Sequence, residues 1–160
     1  MTEKKNVLII GGSSFVARHF IAHTQHIFNL KVVSRSQTGF HGEIISSDFW
    51  DIHEDVFKHI HAVINFAAIV HKRNKLPDEI YQKVNHQLAV SNARTAQQNG
   101  IRLFIQISTV SVYGKVNSIT YDTPENPVDN YGKSKLCADR ELITINDPDF
   151  KVAIIRPPMI

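Results

Sequence analysis

The sequence predicts an α/β fold in which helices cover both faces of a doubly wound parallel sheet. Two observations predict it. Short runs of consecutive apolar residues alternate along the chain with segments of helical periodicity. Strands that are apolar on both faces are typical of a parallel sheet with helices on either side. The first apolar run also ends in a Gly-Gly turn that leads into a helical segment, the connection that opens many such folds.

The first half of the predicted sheet begins with a strand at 7–10, where large aliphatic residues follow one another. A helix at about 14–24 follows the glycine turn. Short strands are predicted at 31–34 and 43–45, because β-branched residues are enriched in strands. A short helix is predicted at 52–59.

The second half begins with an apolar strand at 62–65, and a long helix is predicted at 78–99. Gly100 is the expected end of this helix, since glycine commonly follows the last helical turn. The residues that share one face of the predicted helix are Tyr81, Val84, Leu88 and Asn92.

A strand at 103–107, a helix at 131–145 and a strand at 152–155 complete the pattern. Strands that alternate with helices in this way indicate a parallel sheet built from strand–helix–strand units. The length of 160 residues fits one domain with one sheet. We therefore expect a single domain over residues 1–160.

Composition and charge exclude several classes of protein. Hydrophobic residues make up 42% and charged residues 21% of the chain, as in globular proteins. No apolar run approaches the roughly 20 residues of a membrane helix, and the first residues resemble no secretory leader. The net charge of +3 is scattered, which argues against a nucleic-acid partner. A single cysteine excludes an internal disulfide, so we expect a cytoplasmic protein.

The glycine turn is a candidate site for the pyrophosphate of a dinucleotide, as in Rossmann-type folds. In such folds the helix that follows the first strand points its N-terminus at the phosphates. A Gly-Gly turn can also join a strand to a helix without any ligand. A serine stands where the usual fingerprint has its second glycine, and its Cβ would push the pyrophosphate outward. The candidate cofactor-binding residues here are Gly11, Gly12, Ser13, Ser14, Phe15 and Val16.

The end of the second predicted strand bears on the choice between NAD and NADP. An acidic residue at this position would hold the ribose hydroxyls of NAD, but the strand ends with Ser34 and Arg35. A guanidinium group suits a 2′-phosphate, so NADP is slightly favoured over NAD. The alternative is a solvated surface arginine. Asp48, with Phe49 beside it, is a candidate acceptor for the adenine amino group or a plain turn residue.

Two later segments carry a candidate catalytic group. Tyr131 and Lys135 lie one turn apart at the start of a predicted helix, and so share a face. A neighbouring ammonium favours a phenolate, and we expect it to lower the pKa of the tyrosine. Such a group can take a proton from a sugar hydroxyl. Thr109 or Ser108, at the end of the preceding strand, can hydrogen-bond the same oxygen. The alternative is an exposed helical pair without catalytic function.

These segments together resemble a known family, the extended short-chain dehydrogenase/reductases of the NAD-dependent epimerase/dehydratase group. The resemblance covers essentially the whole chain. GGSSFVARHF, VINFAAIVH, VNHQLAVSN, STVSVYG, YGKSK and IIRPP are each similar to a motif of that family. The departures from its first motif are Ile10, Ser14 and Ala17.

The resemblance implies both residue roles and a reaction. It places the catalytic group on Thr109, Tyr131 and Lys135, the last two also contacting the cofactor. It implies a nucleotide-sugar epimerase that uses NAD or NADP for surface-polysaccharide precursors. The alternatives are a 4-keto-sugar reductase that uses NADP and a non-catalytic NADP-binding module. The further residues that it places at the cofactor are Phe66, Ala67, Ala68 and Asn85.

The resemblance also bears on domain organisation and on assembly. Members of the family continue beyond the RPP segment into a C-terminal substrate-binding region, so we expect this chain to lack it and to represent the dinucleotide-binding domain. Members commonly dimerise through two long helices of each subunit. A homodimer is therefore expected, through the helices at 78–99 and 131–145.

Overall fold

A computed structural model describes residues 3–37, 39–40, 44–45, 52–70 and 76–158. Within these residues the strands form one six-stranded sheet in the order β3-β2-β1-β4-β5-β6, and every neighbouring pair is parallel. The predicted fold class is confirmed. The strands are β1 (Asn6–Ile10), β2 (Asn29–Ser34), β3 (Ile44–Ile45), β4 (Ala62–Asn65), β5 (Leu103–Ile107) and β6 (Lys151–Ile155).

The strand order creates a crevice at the centre of the sheet. The chain runs outward from β1 through β2 to β3, then returns to add β4, β5 and β6 on the other side of β1. Ile10 at the end of β1 lies opposite Asn65 at the end of β4. In open parallel sheets, ligands bind outside the carboxyl ends of the strands where the order reverses. The topology therefore directs attention to the turns after β1 and β4.

Helices lie where the sequence predicts them, with two differences. The predicted helix at 52–59 is a single 3₁₀ turn at Glu54–Phe57. The predicted helix at 78–99 is found, but its middle turn is π-helical. The helical elements are α1 (Phe15–Thr24), α2 (Asp78–Tyr81), a π segment (Gln82–Gln87) continuous with α3 (Leu88–Gln98), a 3₁₀ turn (Val110–Tyr113) and α4 (Asn130–Thr144).

The core has two parts, one on each face of the sheet. Alternate residues of β1 divide between them: Leu8 and Ile10 belong to one cluster, and Val7 and Ile9 to the other. Successive side chains of a strand point to opposite faces, so this division means that both faces are covered. The chain packs small residues where α3 meets the sheet, since Ala89, Ala93 and Ala96 are fully buried.

The turn after β1 contacts the segment after β4 through the backbone. Gly11 has a φ of +88°, and a Cβ added there would lie 2.6 Å from the amide nitrogen of Ala67. No side chain fits at that distance without a shift of the backbone. The glycine is therefore required both by its conformation and by the space around it.

We expect Gly11→Ala to lower the free energy of unfolding by about 2–5 kcal/mol. The left-handed backbone contributes roughly 1–2 kcal/mol and the overpacking against Ala67 roughly 1–3 kcal/mol. Urea denaturation followed by circular dichroism measures the change. Gly100→Ala is the matched control, because Gly100 has a φ of +71° with no atom within 4 Å of an added Cβ. Equal losses in the two variants would show that the contact with Ala67 contributes nothing.

Candidate cofactor and catalytic site

A cavity of about 800 Å³ lies at the carboxyl edge of the sheet. It runs from the glycine turn after β1 to the end of β5 and the first turn of α4. Most of the predicted site residues line it, from both halves of the chain. Those residues are Gly11, Ser13, Ser14, Phe15, Val16, Arg35, Phe66, Ala67, Ala68, Thr109 and Tyr131.

Four predicted site residues do not line the cavity and lie behind it. Gly12 is buried, and its amide donates to the carbonyl of Val33 at 3.1 Å. Ser34 is buried, and its hydroxyl donates to the carbonyl of Ser36 at 2.8 Å. The other two are Asn85 and Lys135. Two further predicted residues, Asp48 and Phe49, lie outside the described residues.

The N-terminus of α1 opens onto the cavity and is suited to an anion. Ser14 is its N-cap, and the hydroxyl accepts a hydrogen bond from the amide of Ala17 at 3.2 Å. No acidic residue lies in the first turn of the helix. The first amide groups of a helix have no partner within it and attract negative charge. The serine that departs from the usual glycine pattern therefore has a capping role that glycine cannot fill.

Asn85 joins three segments beneath the cavity. Its side-chain oxygen accepts from the amide of Ile69 at 2.7 Å, and its nitrogen donates to the carbonyl of Ile69 at 2.9 Å. The same nitrogen donates to the hydroxyl of Ser134 in α4 at 3.1 Å. Asn85 lies in the π segment, and such irregular turns change the direction of a side chain. Its role in the described structure is to hold the backbone that follows β4.

Thr109 and Tyr131 meet at the wall of the cavity. Both side chains line it, and Thr109 lies close enough to Tyr131 to influence the pKa of its phenol. The threonine hydroxyl also accepts from the amide of Ser111 at 3.1 Å and donates to its hydroxyl at 3.2 Å. Thr109 is thus the N-cap of the 3₁₀ turn that follows β5. These bonds fix the orientation of the Thr109 hydroxyl in the chain without a ligand.

The close approach of α4 to the 3₁₀ turn brings the two hydroxyls together. Asp129 caps α4, accepting from the amide of Gly132 at 2.7 Å. A Cβ on Gly132 would lie 2.7 Å from the carbonyl oxygen of Ser111. Only glycine permits this contact, so the glycine beside Tyr131 in YGKSK has a packing role.

The pKa of Tyr131 differs from the expectation based on spacing. Burial is the largest influence and raises the pKa of the phenol, whereas the side chain of Thr109 opposes the rise. The charges of Asp129 and Asp139 raise it further. The predicted lowering by Lys135 is therefore wrong for the chain without a ligand. The spacing in the sequence places the two residues on one face but gives no measure of desolvation.

Lys135 is almost completely buried, with 1% of its surface exposed. Its ammonium donates to the carbonyl of Ile107, the last residue of β5, at 2.6 Å. Burial lowers the pKa of Lys135 to about 8, and the charge of Asp139 opposes this change. The group remains charged at neutral pH but titrates within the range of ordinary experiments.

A family model described as the NAD dependent epimerase/dehydratase family matches residues 7–160. The chain belongs to that family. The family predicted from the motifs is thereby confirmed. The residues of the cavity also fit a dinucleotide, because the cavity has the size of a cofactor site, the α1 N-terminus carries no acidic residue and Arg35 lies at its wall.

Curated relatives of this epimerase/dehydratase chain include two sugar epimerases. The N-acetyl-α-D-glucosaminyl-diphospho-ditrans,octacis-undecaprenol 4-epimerase of Escherichia coli is 30% identical, over 97% of this chain and 49% of that protein. A UDP-glucose 4-epimerase of Vibrio cholerae is 32% identical, over 72% of this chain and 36% of that protein. The chain thus spans half or less of the length of these relatives.

Solved structures confirm the fold. A UDP-glucuronic acid 4-epimerase from Bacillus cereus, in complex with NAD, superposes with a TM-score of 0.84 at 16% identity. The match covers 96% of this chain and 56% of that one.

In the part of this chain that the structure describes, no helix is long and apolar enough to cross a membrane.

Sequence reasoning missed part of the cavity wall. The two prolines could have been found, because they follow the last predicted strand at the carboxyl edge. The residues after Thr109 carry no periodic signal, so only the folded loop shows that they face the cavity. The residues missed are Val70, Ile107, Val110, Ser111, Gly114, Val116, Ile119, Pro157 and Pro158.

We expect Lys135→Met to raise the free energy of unfolding at pH 7 by up to about 3 kcal/mol, since a shift of one pKa unit corresponds to about 1.4 kcal/mol. The lost hydrogen bond to Ile107 offsets part of this gain. The pKa of Lys135 is about 8 in the folded chain against an ordinary 10.5. Between these values the unfolded chain binds more protons, so the parent protein gains stability as pH rises.

The difference between Lys135→Met and the parent should therefore shrink from pH 8 to about 10.5. Urea denaturation at several pH values measures it. Lys133→Met is the control, because Lys133 lies on the same helix and is exposed. A destabilised Lys135→Met variant whose difference from the parent does not vary with pH would contradict the burial penalty.

Proposed function

We propose that the protein is an NAD(P)-dependent epimerase that acts on a sugar carried by a diphosphate, in the synthesis of surface-polysaccharide precursors. The observation that carries the proposal is the pair of neighbouring hydroxyls, on Thr109 and Tyr131, in the wall of a cavity that also contains the N-terminus of α1. One end of the cavity suits a pyrophosphate, and the other presents groups that can hold and deprotonate a hydroxyl.

The relatives support this substrate class. The two curated relatives are 4-epimerases of UDP-glucose and of N-acetylglucosamine linked to undecaprenol by a diphosphate. Both substrates are sugars attached to a diphosphate, and they differ in what lies beyond it. The proposal for this chain is the chemistry that they share, a change of configuration at a hydroxyl-bearing carbon of the sugar.

The reaction assigns one task to each of three residues. When bound, the nicotinamide cofactor accepts and returns hydride. Tyr131 removes the proton of the sugar hydroxyl and later returns it. Thr109 turns its hydroxyl proton from Ser111 to the same oxygen, which stabilises the negative charge that develops there. Lys135 supplies a positive charge next to these groups. The contact with the cofactor that the resemblance implies stays a prediction, since the Lys135 ammonium is buried outside the cavity wall and donates to the carbonyl of Ile107.

Tyr131 needs help to act as a base. Burial raises the pKa of its phenol in the chain alone, so the phenolate is unfavourable without a nearby positive charge. Both Lys135 and a bound oxidised nicotinamide are positively charged. We infer that the site gains its basic tyrosine only when cofactor is present, which limits proton transfer to the loaded protein.

The choice between the two cofactors depends on Arg35. β2 ends without an acidic residue, and Arg35 lies exposed at the cavity wall. The geometry permits NAD and offers a cation for the additional phosphate of NADP. We therefore keep NADP as slightly favoured. A reductase that uses the same three residues would consume NADPH stoichiometrically, whereas an epimerase would regenerate its cofactor in each cycle.

The wider context follows from the same proposal. We propose that residues 1–160 form the dinucleotide-binding domain of a cytoplasmic protein. We also propose that the protein is a homodimer. Its interface would consist of α4 and the continuous helix formed by α2, the π segment and α3. Support for the dimer comes from apolar residues on these helices that are exposed in the single chain, Ile80 and Ile143.

Arg35→Ala should weaken the binding of NADPH by roughly 1.5–3 kcal/mol, the range for a hydrogen bond to a charged group, and should have little effect on the binding of NADH. Fluorescence titration of the reduced cofactors measures both affinities. Arg18→Ala is the matched control, because Arg18 is an exposed arginine of α1 that is not in the cavity wall. Equal losses for the two cofactors would overturn the assignment of Arg35 to the 2′-phosphate.

Tyr131→Phe tests the proposed reaction in the full-length protein. Turnover of UDP-N-acetylglucosamine or UDP-glucose should fall by about 100- to 10,000-fold, the usual contribution of general acid–base catalysis. Cofactor affinity should be largely retained, since the ring remains. Tyr121→Phe, at a fully exposed tyrosine, is the control and should leave turnover unchanged. Near-parental turnover in Tyr131→Phe would reject the proposed role. Net consumption of NADPH by the parent would favour the reductase.

A further inference from the structure

A cluster of charged groups is buried next to the site, and it reaches the cavity wall at Ser108. Its centre is Asp139 of α4, which is completely buried. One carboxylate oxygen accepts from the hydroxyl of Ser108 at 2.8 Å and from Nε of Arg156 at 3.0 Å. The guanidinium of Arg156 also donates to the hydroxyl of Tyr113 at 2.9 Å and to Glu125. Four separate segments of the chain therefore meet at one buried ion pair.

Each of these contacts is adjacent to a proposed catalytic residue. Ser108 immediately precedes Thr109, and Tyr113 ends the 3₁₀ turn that Thr109 caps. Asp139 lies one helical turn after Lys135, on the same face of α4, and both side chains are buried. Side chains four residues apart on a helix are neighbours, with Cβ atoms about 5–6 Å apart.

The other carboxylate oxygen of Asp139, Oδ1, is buried and makes no hydrogen bond among the described residues. A buried carboxylate oxygen without a hydrogen bond costs free energy unless a positive charge lies nearby. Arg156 is bound to the opposite oxygen. Lys135 is the next cation along the same helix face, and its own burial disfavours its charge. The charge of Asp139 opposes the lowering of the pKa of Lys135 without a direct bond between the two side chains.

We propose that Asp139 is a positioning residue for the group of Thr109, Tyr131 and Lys135. Its carboxylate, held in place by Ser108 and Arg156, keeps the neighbouring ammonium of Lys135 charged in a buried environment. The catalytic meaning of this arrangement rests on the function proposed above, whereas the electrostatic coupling does not.

The other titratable groups around α4 do not replace Asp139. Within the described residues, the other titratable groups near Asp139 are Tyr131, Tyr113, Arg156 and Glu125. Glu125 is paired with Arg156 and Arg140. On a different face of α4, Glu141 faces His86 of the π segment at 2.7 Å and Arg94 of α3 at 3.5 Å.

The test is to titrate Lys135 directly in protein labelled with ¹³C at the lysine ε carbons. Lys135→Met identifies the signal, whose midpoint in the parent should lie near pH 8. Asp139→Asn should lower that midpoint by roughly one pH unit or more, because an opposite charge nearby is lost. Glu141→Gln, an acid-to-amide change on the same helix, should leave it in place. An unchanged midpoint in folded Asp139→Asn would overturn the proposal, as would an equal shift in Glu141→Gln.

A second variant covers the case in which Asp139→Asn does not fold because Arg156 loses one of its two carboxylate partners. The double variant D139N/R156Q removes the ion pair as a unit and keeps the polar shape of both side chains. Its Lys135 midpoint should also fall, and an unchanged midpoint there overturns the proposal. NADH titration of the same samples separates the two hypotheses. Failure of the parent to bind cofactor would count against the proposed function and would leave the coupling measurement valid.

Discussion

A buried hydrogen bond between Asn65 and Gln106 aligns the strands on which the site depends. The amide nitrogen of Asn65 donates to the side-chain oxygen of Gln106 at 2.8 Å, at the carboxyl ends of the paired strands β4 and β5. The Asn65 oxygen also accepts from the amide of Ala67. A register shift of one strand by one residue would turn one of the two amides to the opposite face and leave buried polar groups unpaired, at about 1–3 kcal/mol each. This bond therefore sets where the residues after β4 and after β5 emerge.

The buried charged groups next to the proposed site do not favour the stability of the fold. Lys135, Asp139 and Arg156 form a group in which two members are completely or almost completely buried. Replacing a buried ion pair by apolar residues of the same volume is often neutral or stabilising. Ordinary selection for a stable core does not explain such a group beside a cavity. The function proposed above would explain it, because proton transfer in a water-poor site needs fixed charges that do not have to reorganise.

Much of the fold and of the site could be predicted from the sequence, and the failures have physical causes. Strands of continuous aliphatic residues predicted the parallel sheet, and the glycine turn predicted one wall of the cavity. The π segment around Asn85 was missed because tertiary hydrogen bonds to Ile69, and no local periodicity, favour it. The pKa direction of Tyr131 was predicted wrongly because spacing reports neighbours and not burial. The wall formed by Val116 and Ile119 follows the path of an irregular loop, which no residue pattern encodes.

The proposed chemical groups are positioned by the core and not by the ligand. Lys135 is tied to the last carbonyl of β5, and Thr109 emerges two residues later with its hydroxyl already bound to Ser111. Because β5 lies between β4 and β6 in the sheet, its end cannot move without disturbing both neighbours. A site of this kind needs little reorganisation when a substrate enters. The loop that carries Val116 and Ile119 is not held by strand pairing. On the function proposed above, that loop would contribute to the choice of substrate, whereas the sheet would fix the reacting groups.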